Sequence, residues 1–148
     1  MESRLTGKAA EIVILLRKNS RTKLTDISER CDLPLTTAYM KLANIEKMNI
    51  KYTTLVDFKD FGFFARNKMA IKVGQHERQA LETYLMSAKN VNNMYVINNG
   101  FDFFIETVFP SKVDFRSFVE DIGSKFKISE MHIFEVVEDK KRESFEPV

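Results

Sequence analysis

Between Pro34 and Met48 the chain carries short polar side chains with one cation among them: Thr36, Thr37, Lys41 and Asn44, with Met40 interleaved. Hydroxyls, a carboxamide and an ammonium suit hydrogen bonding and charge neutralisation rather than bond breaking. Upstream, Arg17, Lys18, Arg21 and Lys23 cluster, and Lys51 follows downstream. Such cations hold a polyanion such as a phosphate backbone. The charge balance is consistent with this. Residues 1–51 hold ten Lys/Arg against six Asp/Glu, a net of +4, whereas residues 52–148 hold thirteen against fifteen, a net of −2. Four excess charges are equally a solvated face. Other chemistry is thin. His76 and His132 are far apart and lack a nearby ligand pattern, so no metal is expected. Cys31 is the single cysteine; it cannot form an internal disulfide and reads as a small buried hydrophobe. There is no Gly-rich phosphate loop, nucleophile elbow or pair of catalytic carboxylates. The expectation is no catalytic residue, no cofactor and no enzyme.

The elements that must position these groups follow from periodicity. Lys8 to Lys18 has no Gly or Pro, and Ala9, Ile12, Leu15 and Leu16 share a helical face, with Thr6 as the N-cap. Leu24, Ile27 and Cys31 recur at i, i+3 and i+7 in a second, short helix that Thr25 is placed to cap. Asp32-Leu33-Pro34 stops it, and Pro34 suits the first turn of a third helix. That helix, about 35–48, turns Ala38, Leu42, Ile45 and Met48 inward and leaves Thr36, Thr37, Met40, Lys41, Asn44 and Lys47 outside. Two helices joined by a tight turn, the second polar outside, are what a helix-turn-helix needs to enter a major groove. Periodicity alone leaves an ordinary three-helix bundle equally open. Asn49 to Asp57 is β-branched and alternating, and reads as a strand.

All thirteen Phe lie at or beyond Phe58, so the second part of the chain is built differently. Phe63, Ala65, Asn67, Met69, Ile71 and Val73 alternate as a strand with one buried face. Ala80, Leu81, Tyr84, Leu85 and Ala88 form a helical stripe between about His76 and Lys89. Val91 to Asn98 and Phe101 to Phe109 read as strands about an Asn99-Gly100 hairpin turn, since both residues tolerate positive φ. After Pro110, Ser111-Lys112-Val113-Asp114 resembles a capping box. Phe115, Phe118, Val119, Ile122 and Phe126 then form a second stripe, and Met131 to Val137 is a last strand. Met69 to Phe103 and Tyr84 to Phe118 share an offset of 34 residues, the mark of an internal repeat. Two βαβ halves interleave into a ferredoxin-like βαββαβ sandwich, a four-stranded antiparallel sheet with two helices on one face. Apolar residues occupy both parities of 101–109 and of the last strand. The face opposite the helices therefore predicts a second copy as its cover, through Phe104, Val108, Phe134 and Val136.

At the junction, Ile45-Glu46-Lys47-Met48-Asn49-Ile50-Lys51-Tyr52-Thr53-Thr54-Leu55-Val56-Asp57, closed by Phe61-Gly62, resembles the Lrp/AsnC (feast/famine) family of transcriptional regulators. In that family a helix-turn-helix runs into a pattern like G-V-I-x-x-Y-T-A-x-V-D-P-x-x-L-G. Arg21 to Leu33 is similar to the family's second helix and turn, and the likeness extends from about Leu5 to Val137. It implies an α+β chain with an N-terminal winged helix-turn-helix. The expected domains are a DNA-binding domain at 1–51, a strand linker at 52–63, a ferredoxin-like dimerisation and effector domain at 64–138 and a charged, solvated tail at 139–148. It implies double-stranded DNA as partner, a homodimer that assembles further in many members, and an amino acid or related effector. Groove contact would fall to Thr36, Thr37, Met40, Lys41 and Asn44, with Arg21 and Lys23 on phosphate. The family's G-x-D turn is matched by Gly100-Phe101-Asp102, which makes Asn98, Asn99, Gly100 and Asp102 the effector candidates; Asn99-Gly100 is also simply a good turn. This chain departs from the family in holding Met40 and Asn44 where Arg is common, and Pro34 where Ser caps. A ligand-sensing module with weak or lost DNA binding, or an Lrp-like tetrapyrrole decarboxylase, are the alternatives. Charges interrupt every apolar run, so no membrane partner is expected, and the absence of a leader pattern points to the cytoplasm.

Overall fold

A computed structural model describes residues 7–146 and divides into two compact units. One runs to Leu55 and also takes in the segment from Lys140; the other is Val56–Asp139. In the first, α1 (Lys8–Lys18), α2 (Leu24–Arg30) and α3 (Leu35–Glu46) close around Ile12, Ile27, Cys31, Ala38 and Ile45, all essentially inaccessible to solvent. Ala9, Leu15, Leu16, Leu24 and Leu42 complete this core from the predicted faces. Burial pushes the Cys31 thiol pKa up, with Glu11 adding to the effect, as for a residue that packs rather than reacts.

Thr6, the expected cap of α1, lies outside the described residues; Gly7 holds the cap position with φ +58°. Thr25 is not the cap of α2. Lys23 occupies that place, and the helix has already begun at Leu24. After α2 the chain reverses through Asp32 in the left-handed region, φ +50°. The Ser28 hydroxyl donates to the Leu33 carbonyl at 2.6 Å and fixes the turn. Pro34 is the N-cap residue of α3 rather than a member of its first turn, and no side chain caps the helix there.

Two expectations fail in this region. Asn49 to Asp57 forms no strand, so the described residues contain no wing, and the predicted strand linker at 52–63 is an irregular stretch followed by a short 3-10 turn, Phe58–Phe61. β-branched residues favour extended backbone, but a strand exists only against a neighbour that completes its hydrogen-bond ladder. The described residues offer this segment none. The segment after Asp139 is not simply solvated either. Arg17 donates to the Phe145 and Glu143 carbonyls, its guanidinium lies 5.9 Å from the centre of the Phe145 ring, and Lys18 pairs with Glu146 at 3.1 Å. A single aromatic among the tail's charges is enough to dock it on α1.

The second unit has the order β1 (Ala65–Val73), α4 (Arg78–Ser87), β2 (Val91–Val96), β3 (Phe103–Phe109), α5 (Lys112–Lys125), β4 (Ile128–Glu135). Its four strands form one antiparallel sheet in the order β2-β3-β1-β4. Register places Ile71 opposite Phe103 and Met69 between Ile105 and Ile133. Met69, Ile71, Val73, Phe103 and Ile105 meet Leu81 and Leu85 of α4 and Ile122 of α5 in a closed core. Tyr84, Phe115, Phe118, Val119 and Phe126 surround it, which accounts for the Phe-rich composition beyond Phe58. The Ser111 hydroxyl accepts from the Asp114 N–H at the start of α5, as the capping-box pattern predicts.

Tyr84 ties the two helices together. Its hydroxyl donates to Asp121 Oδ2 at 2.6 Å, and Lys125 sits 4.9 Å from its ring centre while pairing with the same carboxylate. Burial, then the bond to Asp121, push the phenol pKa up to about 12. A folded pKa above the unfolded value of about 10 means stability that is complete below that pH and is lost as pH rises towards 12. Denaturant titrations should therefore show stability falling between about pH 10 and about 12, and Tyr84→Phe should flatten that fall.

Candidate functional site

On α3 the closed positions are Ala38 and Ile45, so the outer face is centred half a turn away. Thr36, Met40, Ala43 and Lys47 recur there at i, i+4, i+7 and i+11. Thr36 and Lys47 are exposed, and Met40 is 64% exposed. Asn44 is exposed on one flank and Tyr39 on the other. Lys41 and Thr37 lie closer to the core and are half-buried. The predicted groove contacts thus share one helix, but its exposed face is centred on Thr36, Met40 and Lys47, with Lys41 and Thr37 nearer the core. Tyr39 was missed by sequence reasoning. Its one visible signal was its place beside an outward Met.

The basic groups divide into two sets. Arg21 and Lys23 are exposed on the turn into α2, where the Asn19 carboxamide accepts from the Arg21 N–H at 3.0 Å. Arg17 and Lys18 instead hold the tail. The face thus presents hydroxyl, carboxamide, thioether, phenol and ammonium groups on one helix, with two cations at the preceding turn. That arrangement can hydrogen-bond to base edges and neutralise phosphates; it holds no nucleophile and base in contact.

In the second unit, the loop between β2 and β3 runs from Ile97 to Asp102, longer than the predicted two-residue hairpin. Asn99 and Gly100 do adopt positive φ, +70° and +96°, and residues 98–100 are exposed. Asp102 is anchored within the chain. Its Oδ2 accepts from the Val73 N–H at 2.9 Å, its Oδ1 lies 3.5 Å from Arg78 Nε, and its own N–H donates to the Ile71 carbonyl. The carboxylate therefore fixes the loop to the end of β1 and the start of α4. Arg78, whose guanidinium is 5.7 Å from the centre of the Phe103 ring, is a second charged group at this loop that the sequence did not single out.

The sheet face away from the helices carries Phe104, Val108, Phe134 and Val136, as predicted. Phe134 is 52% exposed and Phe104 and Val136 are half-buried, whereas Val108 is only 7% exposed within the single chain. Phe101, His132 and Phe134 form an edge-to-face row on this side, with ring centres 5.1 and 6.4 Å apart. His132 pairs with Glu130 at 2.9 Å. Arg66, Lys68 and Lys72 alternate onto the same face of β1, so it is mixed rather than wholly apolar. Arg66 bonds Glu106 at 2.5 Å and also Asp139, and Asn93 donates to the same Glu106 carboxylate. Burial alone would raise the Glu106 pKa, but the bonds from Arg66 and Asn93 outweigh it and hold the carboxyl below the usual range.

No described helix is long and apolar enough to cross a membrane. No protein-family model matches the chain. An uncharacterized HTH-type transcriptional regulator of Pyrococcus abyssi is 26% identical over 116 residues, covering 75% of each chain. Among solved structures, the transcriptional regulator NMB0573 of Neisseria meningitidis, in complex with L-Met, superposes with a TM-score of 0.86 at 16% identity, over 94% of both chains. An AsnC family regulator of Agrobacterium tumefaciens superposes with a TM-score of 0.82 at 14% identity, over 93% of both. The likeness spans both units, and it is a likeness of fold.

Proposed function

We propose that this chain, which has the fold of the Lrp/AsnC transcriptional regulators, is one of them: a DNA-binding regulator that reads DNA through α3. On this reading the first unit is a helix-turn-helix, with α2 across the groove and α3 within it, and Val56–Asp139 is a ferredoxin-like dimerisation and effector domain. The observation that carries it is the outer face of α3. Thr36, Met40 and Lys47, flanked by Tyr39 and Asn44, stand exposed on the helix that follows the tight turn, in a chain that matches known regulators over nearly its whole length. Thr36 and Asn44 supply hydrogen bonds to base edges, Met40 an apolar contact for a thymine methyl, and Arg21, Lys23 and Lys47 neutralise phosphate. Arg is absent from α3, so readout relies on short polar groups rather than bidentate guanine contacts.

Dimerisation is assigned to the sheet face bearing Phe104, Phe134 and Val136, because two copies related by a two-fold axis would bury the Phe101–His132–Phe134 row against itself. A dimer carries two α3 helices, one for each half-site. The Ile97–Asp102 loop is the effector candidate. The Neisseria protein was solved with L-Met, and here exposed Asn98, Asn99 and Gly100 stand on a loop that Asp102 holds rigid. A small amino acid or related molecule is the ligand class.

The test is retardation of DNA from upstream of the protein's own gene. The protein should shift that fragment at low salt, and the binding constant should fall steeply as salt rises, because released counterions drive association. Absence of retardation on any genomic fragment at low salt would exclude the DNA reading.

A further inference from the structure

Four of the seven residues from Arg17 to Lys23 are cationic and none is acidic, and all four cations are exposed. The turn that joins α1 to α2 keeps them together. The Asn19 carbonyl accepts from the Thr22 N–H at 3.0 Å and from its hydroxyl at 2.6 Å, while the Asn19 carboxamide holds the Arg21 N–H. Within the cluster the cations are not equivalent. Arg21 and Lys23 face solvent, whereas Arg17 and Lys18 are engaged by a segment from the far end of the same unit. Lys18 pairs with Glu146 at 3.1 Å, and Arg17 lies 3.8 Å from the Glu143 carboxylate.

The Arg17 contact has the form of a phosphate contact. Its Nε and Nη2 donate to the Phe145 and Glu143 carbonyls, so neighbouring N–H groups of one guanidinium meet two oxygens with a carboxylate close by. Arginine takes a phosphate with the same fork, two parallel N–H···O bonds aided by opposite charge. The tail's hold is also weak. Phe145, whose ring meets the guanidinium, is 71% exposed, and the Lys18 and Glu146 side chains are both more than half exposed. Ion pairs in such settings contribute little and are screened by salt. A duplex presents phosphates in a dense row, which two glutamates on an exposed segment cannot match. The segment is therefore held on α1 in a way that a nucleic acid backbone can displace.

We propose that the Glu143–Glu146 segment guards this turn: it holds Arg17 and Lys18 while DNA is absent and yields them to two backbone phosphates when the helix pair docks. The guard rests on the DNA reading and adds to it two phosphate contacts and a built-in competitor for them. Retardation of the upstream fragment is measured with full-length protein in four forms. These are the wild type, Glu143→Gln with Phe145→Ala and Glu146→Gln, Arg17→Gln with Lys18→Gln, and all five changes together. The three tail positions are exposed, so their substitution keeps the fold. The tail variant should bind roughly threefold to tenfold more tightly than the wild type, the scale of one or two exposed ion pairs. The Arg17/Lys18 variant should bind more weakly, with a salt slope lower by about two for the lost phosphates. With those cations gone, the tail changes should have no further effect. Unchanged or weaker binding by the tail variant, the same gain without Arg17 and Lys18, or an unaltered salt slope in the Arg17/Lys18 variant would each overturn the guard, while retardation by the wild type leaves the DNA reading standing. Absence of retardation by the wild type and the tail variant alike would overturn both.

Discussion

Replacing Phe103 with Ala will destabilise the Val56–Asp139 unit by about 3–5 kcal/mol, the range for a buried aromatic truncated to a methyl. Phe103 is completely buried at the start of β3, opposite Ile71 on one side and Val96 on the other, on the face that α4 and α5 cover. Truncation leaves a void that three elements line and that none can close without moving the sheet. It also removes the ring beneath the Arg78 guanidinium, and Arg78 is the partner of Asp102. Calorimetric melting should show a midpoint lowered by more than about 10 °C for a unit of this size. Phe61→Ala, at a position 66% exposed, should change stability by no more than about 0.5 kcal/mol. Equal effects of the two substitutions would contradict the placement of the core.

The second large effect concerns assembly. Phe134→Asp should convert the proposed dimer to a monomer and weaken DNA binding by more than about a hundredfold. Phe134 is half exposed in the single chain, so the substituted protein keeps its fold. Across a two-fold interface, however, the change appears twice and buries an unpaired carboxylate at each copy. Loss of the dimer then separates two half-site contacts that otherwise act as one binding event. Sedimentation analysis should give the monomer mass, and retardation of the upstream fragment should need far more protein. A dimer that persists in Phe134→Asp would place the interface elsewhere. Val108, already closed within the chain, should be a poor site for the same experiment, since a substitution there acts on folding first.

Much of the architecture was legible because its signals are local. The stripe Phe115, Phe118, Val119, Ile122 and Phe126 fits one helix and no other element, and Ser111 with Asp114 marks where that helix starts. Asn99 and Gly100 were readable as positive-φ residues for the same reason. The length of their loop was not, because Asp102 N–H is drawn to the Ile71 carbonyl across the sheet, a contact invisible to a turn rule. The strand read at Asn49–Asp57 failed because β-branched residues report a preference, whereas a ladder needs a partner. Lys41 stood among the groove contacts as the one cation of the set. Its position nearer to Ala38 and Ile45 than to Thr36 sets it on the flank, and helical geometry outweighs residue type there. The tail's attachment rests on one Phe and one Arg separated by more than a hundred residues, which no pattern within a window can join. Arg78 at the loop was missed for the same reason, since it acquires its role from Asp102 and Phe103 on other elements.

The central claim, that this protein reads DNA through the outer face of α3, is tested most directly by one comparison. Retardation of the upstream fragment is measured for the wild type, for Thr36→Ala with Lys47→Ala, and for Lys41→Ala, with the dimer verified in each. The account predicts that the Thr36/Lys47 pair loses about 2–4 kcal/mol of binding and that the salt slope falls by about one for the lost phosphate contact. It predicts a smaller loss for Lys41→Ala. Wild-type retardation by the Thr36/Lys47 pair would contradict the assignment of α3 as the reading helix.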